Sequence, residues 1–451
     1  MPYVSNTDRD REDMLREIGV RSMDDLFADV PSVLRTTADL DVPGPLSEAE
    51  LVRHMQRLAS MNRTTDDVAS FLGGGIYDHT VPAVVRYVTS MPQFYTAYTP
   101  YQAEASQGTL QSIYEFQSLI CRLTGMDVAN ASMYDGASAA AEACLMGVGI
   151  KRRHKIVVAG SAGPALRSVV ATYLEASDIK IVELPVVGGV TDVSGLEEHL
   201  ADAAVLVVQH PNFFGVLEPM EELAAKCEAA GALLVVSVDP LSLALLRPPA
   251  DYGAAIAVGE GQSLGSPVGF GGPLLGFMSA RREFVRRMPG RIIGETADTE
   301  GRRGYVMTLQ TREQHIRRQK ATSNICTNEG LVALAAAVYM SLLGKKGFRE
   351  LAVHVTSKAH YAAEALTSVG GVSLRFDAPF FREFVVDLPV AAHRVKEELG
   401  RVGIWPGISC GCWYDGMEKS LLVSVTERHT REDIDSLASG LEAVISAGGN
   451  S

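Results

Sequence analysis

Four short apolar runs separated by helical stretches constrain the fold more than any other feature of this sequence. The runs are residues 155–159, 179–184, 204–208 and 233–238, and the helical stretches between them are residues 165–176, 193–200 and 220–230. Near-continuous β-branched runs that alternate with helices are typical of parallel strands covered on both faces. The pattern therefore predicts an α/β domain built on a mostly parallel sheet.

The last of these runs ends on Asp239, and a second apolar run, residues 254–258, leads into a glycine-rich loop at residues 259–273. A carboxylate at the carboxyl end of a parallel strand lies where an α/β sheet binds its ligands. In pyridoxal-phosphate enzymes such a carboxylate keeps the pyridine nitrogen protonated, and a lysine forms a Schiff base with the cofactor. This loop has no lysine, because the next lysine after Lys226 is Lys320. Either the pyridoxal interpretation is wrong, or the chain is the lysine-less half of an enzyme whose cofactor is carried by a partner.

Three further motifs each have a functional and a structural interpretation. The start of the alanine-rich helix at residues 132–143 offers free N–H groups that suit a phosphate, but every packed helix start exposes the same groups. The three glycines at residues 73–75 let a backbone approach a ligand, or simply form a turn. His210, which precedes a proline, is either a general base or a hydrogen-bonded loop residue.

Three tyrosines, Tyr95, Tyr98 and Tyr101, recur at helical spacing in the segment 94–104. Pro100 lies among them and would break a helix that buried them as an apolar stripe. The segment is therefore predicted to be an irregular loop that presents hydroxyl groups, which suits the rim of a binding site.

Composition excludes some classes of function. The chain has 451 residues, a formal net charge of −13 and a pI near 5.3, which argue against nucleic acid as the main ligand. Its polar start indicates no secretory signal, and no window approaches eighteen uninterrupted apolar residues, so no membrane span is expected. Six scattered cysteines are typical of reduced thiols in a cytoplasmic protein, and the Cys410–Cys412 spacing does not suit a zinc site, so no metal is expected.

The sequence predicts three regions: a helical arm at residues 1–60, a large α/β domain at 61–327, and a smaller C-terminal α+β domain at 328–451 whose strands are residues 372–376, 384–388 and 421–425. The arm has a predicted helix cap at Thr7. A basic segment with helical composition, residues 311–320, lies near the second boundary. It is either a solvated face or a docking surface for an acidic partner.

Five segments together resemble the P-protein family of the glycine cleavage system, in its split, two-subunit form: residues 71–79, 95–104, 123–139, 259–276 and 309–327. The resemblance covers essentially the whole chain. It implies a pyridoxal-phosphate-dependent transferase-like fold of the type I aminotransferase class. It also implies glycine dehydrogenase (decarboxylating) activity, shared with a companion subunit in a heterotetramer of two plus two.

The resemblance further implies that pyridoxal phosphate is carried by the companion subunit, not covalently by this chain, and that the aminomethyl group of glycine passes to the lipoyl H-protein. Laying the companion's lysine loop on residues 267–272 puts Gln262 at or next to the lysine position. No catalytic residue is expected in this chain. Tyr95, Tyr98 and Gln102 are predicted to contact the cofactor site, and Asp239 to be a structural relic. The alternative is a silent scaffold that only stabilises its companion.

Overall fold

A seven-stranded sheet forms the centre of the computed structural model, which describes residues 5–35, 41–97, 100–321, 323, 325 and 327–448. Its strand order is β2-β10-β9-β8-β7-β3-β4. The strands are β2 (Val128–Ala129), β3 (Lys155–Ala159), β4 (Lys180–Leu184), β7 (Val205–His210), β8 (Leu233–Val238), β9 (Ile256–Glu260) and β10 (Gly276–Ala280). The strands from β9 to β4 are parallel, and β10 is antiparallel to both neighbours. The predicted mostly parallel α/β fold is confirmed.

Alternate residues of the central strands belong to two separate apolar cores. In β8, Leu234 and Val236 pack in one core, and Leu233 and Val235 pack in the other. Because successive side chains of a strand point to opposite faces, the two cores lie on opposite faces of the sheet. Helices therefore cover both faces, as the apolar runs predict.

The helices that follow the arm differ in which core they join. The helices are α3 (Ala83–Thr89), α4 (Pro92–Tyr95), α5 (Gln107–Thr124), α6 (Gly136–Lys151), α7 (Pro164–Leu174), α8 (Leu196–Leu200), α9 (Met220–Ala230), α10 (Gln314–Arg317), α11 (Gly330–Thr367), α12 (Ala392–Arg401) and α13 (Arg431–Gly448). Buried residues of α6 and α7 lie in one core, and those of α8, α9, the end of α5 and the first part of α11 lie in the other. Leu110 and Ile113, near the start of α5, belong to a smaller cluster.

A second, four-stranded antiparallel sheet has the order β13-β14-β17-β16. Its strands are β13 (Ser373–Leu374), β14 (Glu383–Asp387), β16 (Ile408–Ser409) and β17 (Ser420–Ser424). Short pairs complete the list of strands: β1 (Ala69–Ser70), β5 (Val186–Val187), β6 (Val190–Thr191), β11 (Ile292–Ala297), β12 (Arg303–Thr308) and β15 (Ile404–Trp405). The second sheet shares an apolar core with α12, α13 and the last part of α11. The predicted C-terminal strands correspond to β13, β14 and β17.

Helix α11 runs from the first sheet to the second and changes direction at Gly344, whose φ of 57° and ψ of −176° are not helical. Among the described residues it is the one helix long and apolar enough to cross a membrane by length and composition. Its alanines and leucines belong to the cores of both sheets. These contacts account for its apolar composition as that of a core helix.

Close contacts between residues divide the chain into two units, Met1–Arg63 and Thr64–Ser451. The first unit contains α1 (Asp8–Ile18) and α2 (Glu48–Ala59). Thr7 caps α1 in a reciprocal pair with Asp10, as predicted, and Ser47 caps α2 in the same way with Glu50. The predicted boundary between residues 327 and 328 lies inside the second unit, and that division stays a prediction.

The predicted helix at residues 311–320 is wrong as a continuous element. The segment contains a 3₁₀ turn at Gln310–Arg312, the four-residue α10 and a second 3₁₀ turn at Arg318–Lys320. Arg312 turns inward, and its guanidinium donates to the carbonyls of Met288, Gly290 and Leu309. These hydrogen bonds to backbone carbonyls hold the start of the segment against other residues of the Thr64–Ser451 unit. A helix therefore does not continue through residues 311–320.

Candidate functional site

A cavity of about 240 Å³ lies at the carboxyl edge of the central sheet, where β8 ends and α6 begins. Asp239, Glu260, Arg382 and Glu383 line it, together with the glycine run that precedes Tyr77. Because ligands of open α/β sheets bind at this edge, this is the place where the sequence predicts a cofactor. We call it the inner cavity.

Asp239 lies in the inner cavity as predicted, and its partner is a side chain of the same protein. The Oδ2 atom of Asp239 is 2.6 Å from a terminal nitrogen of Arg382, whose side chain is 1% exposed. The guanidinium of Arg382 lies over the Tyr77 ring, with 3.3 Å between its central carbon and the ring centroid. Burial opposes the charge of Arg382, but Asp239, Tyr77 and Glu383 outweigh it and raise the Arg382 pKa. The carboxylate that would bind a pyridinium is therefore already paired with a buried cation.

The same arginine continues into a chain of buried hydrogen bonds. Arg382 Nη1 lies 2.6 Å from His79 Nε2, and His79 Nδ1 lies 2.6 Å from Glu427. Since arginine only donates, Nε2 accepts, and the imidazole proton is on Nδ1, where it is donated to Glu427. Burial would raise the pKa of Glu427, but the hydrogen bonds from His79 and from the Thr80 N–H lower it to about 2. These bonds make the network part of the structure of the site.

Glu383 explains the glycine run. Its two oxygens accept from the Gly74 N–H and the Tyr77 hydroxyl, both at 2.7 Å. A Cβ at Gly73 would lie 2.3 Å from one of these oxygens, so only glycine allows the approach. Burial raises the pKa of both Glu383 and Tyr77. The glycines at residues 73–75 therefore allow the close backbone approach that the ligand interpretation predicts. The group that the backbone approaches is the Glu383 carboxylate of the same chain.

The start of α6, a candidate phosphate site in the sequence, also binds an internal carboxylate. Glu260 accepts three backbone N–H bonds, from Gly136 at 2.9 Å, Leu275 at 2.8 Å and Gln262 at 2.9 Å. Burial raises the pKa of Glu260, while these N–H bonds oppose the rise. At the position that a cofactor phosphate would take, the helix start is already occupied by a glutamate.

Gln262, predicted to lie at or next to the lysine position, is buried and held by three hydrogen bonds. Its Oε1 accepts from the Tyr77 N–H, and its Nε2 donates to the carbonyls of Tyr77 and Ser266. No lysine is among the described residues that line the inner cavity. With an amide at this position, a carboxylate on the helix start and Arg382 on Asp239, the inner cavity does not fit pyridoxal phosphate.

The contacts of His210 favour its interpretation as a hydrogen-bonded loop residue over that as a general base. Its Nδ1 accepts a hydrogen bond from the Glu218 N–H at 3.1 Å, and burial lowers its pKa to about 4.

Cys410 is buried and Cys412 is exposed. In the part of the chain that the structure describes, no group of three or more His, Cys, Asp or Glu side chains could hold a metal.

A second cavity, of about 600 Å³, is lined by the predicted tyrosine segment, and we call it the outer cavity. Tyr95, at the end of the short helix α4, is 69% exposed and lines it together with Gln102. Tyr98 lies outside the described residues, so its role stays a prediction. The structure therefore brings together the two predicted rim residues that it describes.

Sequence reasoning missed Asn328 and Arg291, which line the outer cavity together with Tyr101 of the predicted tyrosine segment. Tyr101 donates its hydroxyl to Asn328, and Asn328 donates to the Ala131 carbonyl at 2.9 Å. The guanidinium carbon of Arg291 lies 3.8 Å from the centroid of the Tyr101 ring. No sequence signal separates Arg291 from the exposed arginines near it in the chain, Arg286 and Arg287.

Comparison with known proteins gives concordant matches over nearly the whole chain. The family model for the glycine cleavage system P-protein matches residues 1–441. Two curated proteins named "Probable glycine dehydrogenase (decarboxylating) subunit 1" are similar to this chain. The protein from Chlorobium limicola is 51% identical over 98% of this chain and 100% of its own length. The protein from Carboxydothermus hydrogenoformans is 50% identical over 97% of this chain and 98% of its own length.

Solved structures agree with these matches. The chain is similar to a glycine decarboxylase (P-protein) of the glycine cleavage system, solved in inhibitor-bound form, with a TM-score of 0.90 and 43% identity over 98% of this chain and 100% of that one. A sphingosine-1-phosphate lyase from Burkholderia pseudomallei, 15% identical with a TM-score of 0.65 over 92% and 94% of the two chains, shares the fold alone. The expected pyridoxal-phosphate-dependent transferase-like fold is confirmed.

Proposed function

Because this chain belongs to the glycine cleavage system P-protein family, we propose that it is the lysine-less subunit of a two-subunit glycine dehydrogenase (decarboxylating). Together with a companion subunit it decarboxylates glycine, and the aminomethyl group that remains passes to the lipoyl H-protein. The relatives' designation as "subunit 1" supports the existence of a companion. We further propose a cytoplasmic heterotetramer of two plus two.

The cofactor of this proposal, pyridoxal phosphate, is bound by the companion subunit. Bound pyridoxal phosphate supplies an electron sink for the negative charge that remains when carbon dioxide leaves glycine. The absence of a lysine between Lys226 and Lys320 supports this assignment, as does the occupation of the inner cavity by Arg382 and Glu260. Residues of this chain then act only by binding and orienting groups that the companion holds.

The observation that carries the proposal is the outer cavity, which is lined by two of the predicted rim residues, Tyr95 and Gln102. Tyr95 is 69% exposed, and both Tyr95 and Gln102 line the cavity. A tyrosine hydroxyl and an amide are suited to hydrogen-bond the polar groups of a cofactor or substrate. We assign Tyr95, Tyr98 and Gln102 to this contact. A silent scaffold would not require polar groups on an open rim.

Co-expression with the companion subunit tests the proposal. The pair should assemble at the size of two plus two and exchange the carboxyl carbon of glycine with bicarbonate, whereas neither chain alone should do so. Exchange by this chain alone would contradict the division of labour. Full exchange by the companion alone would favour the silent scaffold.

A further inference from the structure

Arg291 is the one charged side chain among the described residues that line the outer cavity. Its backbone is fixed, because its carbonyl accepts from the Ala131 N–H at 2.8 Å. Its guanidinium lies against the Tyr101 ring, which Asn328 holds in place. An arginine stacked on a fixed aromatic ring keeps its planar donors in a defined orientation.

The hydrogen-bonding capacity of Arg291 is unused within the described part of the chain. Its Nε is buried and has no hydrogen-bond partner, and no Asp or Glu is among the described residues that line the cavity around it. Arg312 differs, because it donates to three carbonyls. Arg382 also has buried donors without a hydrogen bond, but its charge is paired with Asp239. A fixed cation with unused donors in a cavity is a site for an anion, because burying such a group without a partner is unfavourable.

A second, independent feature of the outer cavity also favours an anion. Gly330 and Leu331, the first two residues of the long helix α11, line it. The preceding residue, Glu329, makes no side-chain hydrogen bond that caps this helix. N–H groups of a first helical turn have no partner inside the helix, and the positive end of the helix dipole attracts negative charge. Glu329 itself is not among the lining residues, and burial raises its pKa.

From these two features we propose that the outer cavity binds a small oxyanion, a carboxylate or a phosphate, between Arg291 and the start of α11. The proposal rests on the proposed function, since the anionic groups of that reaction are the glycine carboxylate and the cofactor phosphate held by the companion. It makes Arg291 a binding residue that acts alongside Tyr95 and Gln102. The inner cavity differs from the outer cavity in this respect, because the Glu260 carboxylate already accepts from the N–H at the start of α6.

The first test titrates the full chain with inorganic phosphate and, separately, with acetate, by calorimetry. The wild-type chain should bind at least one of the two anions. The affinity of Arg291→Gln for that anion should be lower by about tenfold or more. Arg287→Gln, which removes an exposed arginine four residues away, should bind like wild type. Arg291→Lys keeps the charge and should recover part of the affinity, provided that circular dichroism shows all variants folded.

The second test distinguishes the two sources in the assembled enzyme. If the anion is the cofactor phosphate, Arg291→Gln should weaken pyridoxal-phosphate binding about tenfold; if it is the substrate carboxylate, the KM for glycine should rise by a similar factor. The inference is overturned if the wild-type chain binds neither phosphate nor acetate, or if Arg291→Gln matches Arg287→Gln in every measurement. Failure of the two subunits to assemble would count against the proposed function and leave the titration unaffected.

Discussion

The inner and outer cavities of this chain differ in how their polar groups are used. In the inner cavity, Asp239, Glu260 and Glu383 each accept from a residue of the same chain. In the outer cavity, Arg291 has unused donors, and Tyr95 is exposed. Both cavities include the start of a helix, but Glu260 accepts from that of α6, whereas the side chain of Glu329 makes no capping hydrogen bond to that of α11.

This difference shows why a cofactor-type fold alone does not identify a cofactor site. The inner cavity has the expected position, strand-end carboxylate and helix start, but Asp239, Glu260, Arg382 and Glu383 each have a charged or hydrogen-bonding partner in the same chain, while Nε and Nη2 of Arg382 make no hydrogen bond. Arg382 pairs with Asp239 where a pyridinium would lie, and Glu260 binds N–H groups where a phosphate would lie. A buried charge without an internal partner of opposite charge is the better indicator of a ligand, because proteins rarely leave such groups unpaired.

The largest expected effect concerns the closed network of the inner cavity. Arg382→Gln should lower the free energy of unfolding by about 3–5 kcal/mol, because it leaves Asp239 and Glu383 without their buried cation. The measurement is the urea midpoint of the full chain. Arg302→Gln, which breaks the exposed pair with Asp298, should change the free energy by less than about 1 kcal/mol. Equal effects of the two substitutions would show that the inner network is not structural.

The next effect is a pH dependence of the same network. Because the pKa of Glu427 is lowered to about 2 in the folded chain, its contribution is complete above the ordinary value near 4.5 and is lost as the pH falls towards 2. Glu427→Gln should therefore reduce the unfolding free energy by about 2–3 kcal/mol at pH 7. The difference from wild type should shrink below about pH 4.5.

Urea unfolding at pH 7 and pH 4 measures this change, with Glu398→Gln as the control because Glu398 forms only an exposed pair with Arg401. A Glu427→Gln deficit that stays constant between the two pH values would contradict the hydrogen-bonded, ionised state of this carboxylate.

A smaller effect, on activity and not on stability, is expected at the outer cavity. Tyr95→Phe and Tyr98→Phe should each reduce kcat/KM for glycine or the affinity for pyridoxal phosphate. The loss should correspond to about 1.5–3 kcal/mol of binding free energy in the transition state or in the cofactor complex, since each substitution removes a hydrogen bond to a charged group. Assembly with the companion should be unchanged. Tyr87→Phe is the matched control for Tyr95, because Tyr87 is 68% exposed and lies outside the cavity. Wild-type values for both mutants would favour the silent scaffold.

The smallest effect is expected from restoring a lysine to the inner cavity. Gln262→Lys should not create a decarboxylase, since Glu260 still occupies the helix start and Arg382 still pairs with Asp239. Schiff-base catalysis also requires a phosphate site and a positioned ring, so one group leaves most of the barrier in place. Glycine–bicarbonate exchange by the mutant chain alone, above the wild-type background, would show that the cavity is less closed than its contacts indicate.

The same contrast explains what the sequence predicts well. Asp239 ends an apolar run, and strand periodicity places such a residue at the sheet edge. Pro100 predicts an irregular loop that presents Tyr95; Tyr95 is exposed, but it ends the short helix α4, so the loop prediction is wrong for the start of the segment. The missing lysine is visible directly. Each of these inferences depends on neighbours in the chain, where local patterns carry information.

The contacts that close the inner cavity join residues far apart in the chain. Glu260 reaches Gly136 across 124 positions, and Arg382 reaches His79 across 303. No local pattern indicates which buried carboxylate meets which donor, so the sequence left the phosphate interpretation of α6 open. Arg291 was missed for the same reason, since its stacking on Tyr101 is a tertiary contact.

Borohydride reduction of the assembled, cofactor-loaded enzyme, followed by peptide mass mapping, tests the central claim most directly. The inner cavity offers no amine between Lys226 and Lys320, so every pyridoxyl-lysine should map to the companion subunit and none to residues 239–276 of this chain. A pyridoxyl-lysine recovered from this chain would contradict the claim that its own cofactor site is closed.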